Sequence, residues 1–115
     1  MLDLNQPCPI ARTAQLVGDT WTILIVRDLM TGARRFGQLQ ESLGHVSPKT
    51  LSQRLKLLEA ADILKRHAFP EIPPRVEYTL TAKGQALSHI IEAMKEFGDQ
   101  YIPYQEAERL PQAGD

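Results

Sequence analysis

The stretch Val46-Ser47-Pro48-Lys49-Thr50-Leu51-Ser52-Gln53-Arg54-Leu55-Lys56-Leu57-Leu58-Glu59 constrains this chain most, because it holds a complete helix start and a helix face with no core duty. Ser47 is the predicted N-cap. Pro48 at the first helical position loses nothing by lacking an N–H, since that group has no partner inside a helix anyway. Val46 can pack on Leu51 as a hydrophobic staple. Leu51, Leu55 and Leu58 recur at i, i+4 and i+7 and form one buried stripe, which leaves Lys49, Thr50, Ser52, Gln53 and Lys56 facing elsewhere. Short, amide-bearing and cationic side chains of this kind hydrogen-bond base edges and phosphates, which a helix in a DNA major groove requires of its N-terminal half. The same pattern would also serve an ordinary amphipathic surface helix, so its neighbours decide between the two.

The neighbours form a recognisable order. Pro9 and Gly18 bracket a short helix, and Asp19 caps a second from Thr20 to Thr31 whose residues are apolar nearly all round, a buried centre that includes Trp21. Phe36, Leu39 and Leu43 share one face of a third helix that stops at Gly44. His45, Val46 and Ser47 then join it to the helix described above, and two short helices with a tight connection are a helix-turn-helix by pattern. After Asp62 the period changes from 3.6 to 2. Leu64 to Phe69 and Arg75 to Leu80 read as strands around Pro70-Glu71-Ile72-Pro73-Pro74, a stiff loop that cannot itself be a strand, so they form a hairpin wing. Thr81 caps a last long helix with the stripe Leu87, Ile90, Ile91, Met94, Phe97 and Tyr101, too apolar for a free surface. A second copy of the chain is its expected partner.

The 115 residues therefore read as one winged helix-turn-helix domain over residues 1–115, mainly α with a small β-hairpin, whose N- and C-terminal helices form a dimer interface. Its parts are N-terminal helices over 8–31, the helix-turn-helix over 34–60, the wing over 63–80 and a dimerisation helix over 81–108. A net charge of -1 looks unsuited to nucleic acid until it is divided along the chain. Residues 34–75 hold eight basic against four acidic residues, a net +4, and residues 81–115 hold three against six, a net -3. The basic middle fits phosphate contacts. Lys49, Thr50 and Gln53 are predicted to enter the groove, and Arg34, Arg35 and Arg75 to meet phosphates or, for the wing, the minor groove. Arg54, three residues after Leu51, either braces the helix or reaches a phosphate.

Other chemistry finds little support. A single cysteine rules out an internal disulfide or a CxxC zinc site, and His45, His67 and His89 share no ligand spacing and read as surface residues. Nucleophile elbow, phosphate-binding glycine loop and paired carboxylates are all missing, so no enzyme, cofactor or metal is expected. No apolar run reaches the roughly 18 residues of a membrane span, and the N-terminus does not read as a signal peptide, which predicts a cytoplasmic protein.

Cys8-Pro9-Ile10, Gly18-Asp19-Thr20-Trp21-Thr22, Arg35-Phe36-Gly37-Gln38-Leu39, Leu51-Ser52-Gln53-Arg54-Leu55 and Pro73-Pro74-Arg75-Val76-Glu77-Tyr78, followed by Leu80-Thr81, occur in order over residues 8 to 97. Together they resemble the HxlR-type winged helix-turn-helix regulators of bacteria. The resemblance implies a homodimeric transcriptional regulator that binds a pseudo-palindromic double-stranded DNA operator, with the terminal helices making the dimer and the wings flanking the duplex. It also resembles those members whose N-terminal cysteine senses electrophiles or oxidants. Cys8 stands between two prolines at the N-cap of the first helix, where the helix dipole favours the reactive thiolate and Arg12 can add positive charge; the alternative is a small buried apolar residue. One departure is Asp62, where relatives tend to carry Gly at the turn into the hairpin; Asp tolerates the left-handed conformation better than most residues. A winged-helix protein-interaction module, and a regulator switched by a small-molecule ligand without thiol chemistry, are the alternatives that the sequence leaves open.

Overall fold

The computed structural model describes residues 2–105. Its elements run α1 (Pro9–Val17), α2 (Thr20–Leu29), α3 (Phe36–Leu43), α4 (Pro48–Ala60), β1 (Leu64–Phe69), β2 (Arg75–Leu80), α5 (Ala82–Gln85) and α6 (Ser88–Tyr101). Helix α2 is the hub. It packs against α1, α3, α4, α6 and β2, and buries Thr22, Ile25, Val26 and Leu29, with Trp21 partly buried against the same core. The caps stand where the sequence puts them. Asp19 Oδ1 accepts from the Thr22 backbone N–H (3.1 Å) and Ser47 Oγ from that of Thr50 (3.1 Å), each satisfying a donor that a helix start leaves open. Gly44 ends α3 with a φ of 66°, a value that costs glycine little and lets the chain reverse into α4.

The wing is a two-stranded antiparallel hairpin in the register Leu64 opposite Leu80 and Phe69 opposite Arg75. Tyr78 faces inward and is buried, with Val76 and Leu80 packed partly against the core. Two backbone bonds join β2 to the start of the helix-turn-helix, Arg34 N–H to Tyr78 C=O (3.1 Å) and Tyr78 N–H to Arg34 C=O (2.8 Å). Asp62 takes a φ of 62°, the left-handed region that Asp tolerates better than most residues.

The expected single helix over 81–108 is corrected to two. Thr81 caps α5 by accepting from Gly84 N–H (3.0 Å), while its hydroxyl donates to the Asp62 carbonyl (2.6 Å) and its own N–H to Ile63 C=O (3.0 Å). A Cβ at Gly84 would collide with the Ile63 carbonyl, so α5 lies tightly on the strand entry. The chain must then turn to bring α6 onto α2, and bonds from Leu87 to Gly84 and from Ile90 to Leu87 tighten that joint. Helix α6 ends at Tyr101 because Pro103 pushes Ile102 out of the helical region, to φ -133° and ψ 64°. The expected stretch 106–108 lies outside the described residues.

Candidate nucleic-acid interface

Helix α4 presents two faces. Leu51, Leu55 and Leu58 are fully buried, and opposite them Lys49, Gln53 and Lys56 are exposed at i, i+4 and i+7. Lys56 completes that outer stripe, on the face where its spacing from Lys49 and Gln53 puts it. Thr50 lies beside the stripe and half-buried, its hydroxyl 3.0 Å from that of Ser47. The N-terminal arm marks where the free face ends. Leu2 and Leu4, with Lys56, Leu57, Ala60 and Ala61, line a groove of about 440 Å³ along the C-terminal half of α4.

The arginines divide into braces and free cations. Arg34 is half-buried, and its guanidinium donates to Thr31 Oγ1 (2.9 Å) and to the Ala33 carbonyl (3.0 Å), so it stiffens the turn before α3. Arg35 is exposed; its backbone N–H donates to Gln38 Oε1 (2.8 Å) and its carbonyl accepts from Leu39 N–H (3.1 Å), while its guanidinium makes no ion pair among the described residues. Arg54 pairs with Asp19 across the α2–α4 contact at 3.3 Å. Arg75 pairs with Glu71 (2.8 Å) and Glu77 (3.6 Å) and lies 3.8 Å above the Phe69 ring, a cation–π stack that stiffens the wing. Lys65 and Arg66 on β1 are the exposed wing cations and make no ion pair among the described residues; the loose alternation of that strand hid them. His67 sits edge-on to Phe69, with ring centroids 4.4 Å apart, and His45 and His89 are exposed as expected.

A second, apolar surface spans α1 and α6. Phe97 is 57% exposed and touches Tyr101 (centroids 5.0 Å apart), Met94 and Ile102 are half-exposed, and Ile10 on α1 is 79% exposed. Met94, Phe97 and Ile102 edge one shallow groove of about 630 Å³ and Ile10 another of about 370 Å³, and the two meet at Ile90. The expected stripe is corrected at its near end: Leu87 is only 8% exposed and belongs to the chain's own core, while Ile90 and Ile91 pack partly against that core. The opposite face of α6 is charged. There Asp99, by hydrogen bond and by charge, holds Lys95 above its ordinary value.

Cys8 is exposed at the α1 N-cap, so the buried-residue reading does not describe it. Arg12 instead donates to the carbonyls of Gln6 (2.6 Å) and Pro7 (3.0 Å) and fixes the arm that leads into the cysteine. Among the described residues no group of three or more His, Cys, Asp or Glu could hold a metal, and no helix is long and apolar enough to cross a membrane.

A model of the HxlR-like helix-turn-helix family matches residues 16–106. Among curated relatives, an HTH-type transcriptional regulator of Synechocystis sp. is 43% identical over 101 residues, covering 88% of this chain and 75% of its own. The HTH-type transcriptional regulator YodB of Bacillus subtilis is 41% identical over 98 residues, covering 84% and 88%. Among solved structures, the reduced form of YodB superposes with a TM-score of 0.72 at 38% identity over 90% of this chain and 100% of that one. The redox regulator HypR in its oxidised form gives 0.78 at 29% identity over the same shares.

Proposed function

The chain belongs to the HxlR-like helix-turn-helix family of transcriptional regulators, and from that premise we propose that it binds double-stranded DNA as a homodimer at a pseudo-palindromic operator. One observation carries the reading: the Lys49, Gln53 and Lys56 stripe stands free on a helix whose opposite stripe is wholly buried. Lys49 and Gln53 contact base edges, with Thr50 beside them, and Arg35, Lys65 and Arg66 supply phosphate contacts. Arg34, Arg54 and Arg75 brace the turn before α3, the flank of α4 and the wing respectively. The dimer forms through Met94, Phe97 and Tyr101 of α6 together with Ile10 of α1, and sets two recognition helices about 34–36 Å apart, one turn of the duplex.

Cys8 acts as the sensor in this reading. Its thiol is exposed, and the structural likeness extends to YodB in reduced and diamide-treated forms and to HypR in oxidised and reduced forms. The thiolate sulfur would bond a quinone ring carbon, whose hydrogen leaves as a proton while both ring oxygens are protonated, giving an S-linked hydroquinone; diamide would take two electrons and two protons from two thiols as a disulfide forms between subunits or with a small thiol.

The experiment is to let purified protein select duplexes from random sequence, then measure affinity for the selected duplex against salt. Binding that weakens linearly on a log–log plot is expected, and retention of no duplex sinks the reading. Treating wild type and Cys8→Ser with a quinone or diamide then separates the sensor: wild type loses affinity and the variant does not. Wild type that stays bound while mass spectrometry shows Cys8 modified removes the switch and leaves the DNA binding.

A further inference from the structure

We infer that Asp19 is a positioning residue for base recognition, a step that rests on the DNA-binding reading of α4. A single carboxylate does two jobs. Its Oδ1 caps α2 by accepting from Thr22 N–H (3.1 Å), and its Oδ2 lies 3.3 Å from Nη2 of Arg54 on α4, so the start of the central helix is tied to the middle of the recognition helix. The stripe Leu51, Leu55 and Leu58 sets how deep α4 sits. Its rotation about its own axis is fixed by something directional on a flank, and Arg54 is placed there: it lies one position before Leu55, beside the stripe, and next in sequence to Gln53. A helix with side chains is about 10–12 Å across, so a roll of about 10° carries a side-chain tip by about 1 Å. Recognition constellations must be held to about 0.5 Å and 10–20°, so a roll of that size meets the angular limit and exceeds the positional one. The two side chains are 31% and 35% exposed, which makes the pair too wet to add much stability. Its contribution is orientation.

A phosphate-binding Arg54 predicts the opposite sign for one variant. If Arg54 reached DNA, Asp19→Asn would release it and tighten binding to every duplex. As a strut, the same change loosens α4 and lowers discrimination. The test measures wild type, Asp19→Asn, Arg54→Gln and the double variant against the selected duplex and a random duplex of equal length, each at two salt concentrations. Asn caps a helix as well as Asp does, so thermal unfolding near the wild-type midpoint is expected; Arg54→Gln carries the test if Asp19→Asn does not fold. Each single variant should lose about threefold to tenfold in the ratio of specific to non-specific affinity with the salt slope unchanged, and the double variant should lose no more than either. Tighter binding by Asp19→Asn, equal loss on both duplexes with a shallower slope in Arg54→Gln, or additive losses would each overturn the inference. Wild type that selects no sequence removes the DNA reading and this inference together; wild type that selects one while the variants match it removes only this inference.

Discussion

Helices α4 and α6 both carry an apolar stripe at helical spacing, yet in α4 Leu51, Leu55 and Leu58 are all buried, whereas α6 has no fully buried residue and leaves Met94, Phe97 and Tyr101 in solvent. The difference is one of supply. The core has α1, α2, α3, β1 and β2 around it before α6 arrives, so only Ile90 and Ile91 still find neighbours within the chain. A helix whose apolar face is satisfied offers its polar side to a partner, and a helix whose apolar face is not offers that face.

The sharpest way to break the comparison is Leu55→Ala, which leaves a cavity under α4 and should cost about 2–5 kcal/mol in urea unfolding. A cost below about 1 kcal/mol would mean that α4 is not anchored by its stripe. Next comes Met94→Glu with Phe97→Glu, chosen over Ile91 because Ile91 also serves the chain's own core. This pair should weaken self-association at least about a hundredfold, roughly 2.7 kcal/mol, while the monomer stays folded by circular dichroism. A double variant that light scattering still shows as a dimer would place the interface elsewhere. Gln53→Ala tests the polar face of α4 and should remove about 1–3 kcal/mol of discrimination between selected and random duplexes. Equal loss on both duplexes would assign Gln53 to the backbone. The smallest expected effect concerns the wing: Lys65→Ala or Arg66→Ala should lower the salt slope by about 1, and Arg75→Ala should change it less because its charge is already met by Glu71 and Glu77. A full unit lost in Arg75→Ala would return that residue to the phosphates.

What the sequence made legible was whatever a few consecutive residues decide. The caps Asp19, Ser47 and Thr81 each act on a backbone N–H three residues on, so their roles can be read from spacing alone. The wing was legible for a similar reason, since three prolines in five residues exclude a strand and define its tip. Long-range pairings were not. Nothing near Arg54 announces that Asp19, 35 positions earlier, will take its charge, and nothing near Arg34 announces the bridge to Tyr78. Leu87 shares the period of Met94 and Tyr101, and only the turn between α5 and α6 separates the core end of that stripe from the exposed end. At the candidate site this matters most for the arginines. Charge is visible in the sequence, but which carboxylate holds it depends on the fold: Arg54 is met by Asp19 across the α2–α4 contact, and Arg75 by Glu71 and Glu77 within the wing itself.

The pair of backbone bonds between Arg34 and Tyr78 has a consequence for how the molecule opens. Both amides are locked by a partner more than 40 positions away in the chain, so neither can exchange with solvent through fraying of the hairpin alone. In deuterated buffer the Tyr78 and Arg34 amides should therefore persist as long as those of Leu39 and Leu55. Amides near the wing tip, such as Glu71, should be gone early. The wing base and the two helices of the turn would then appear as one cooperative block, which means that a ligand gripping the wing also slows the opening of the helices behind it.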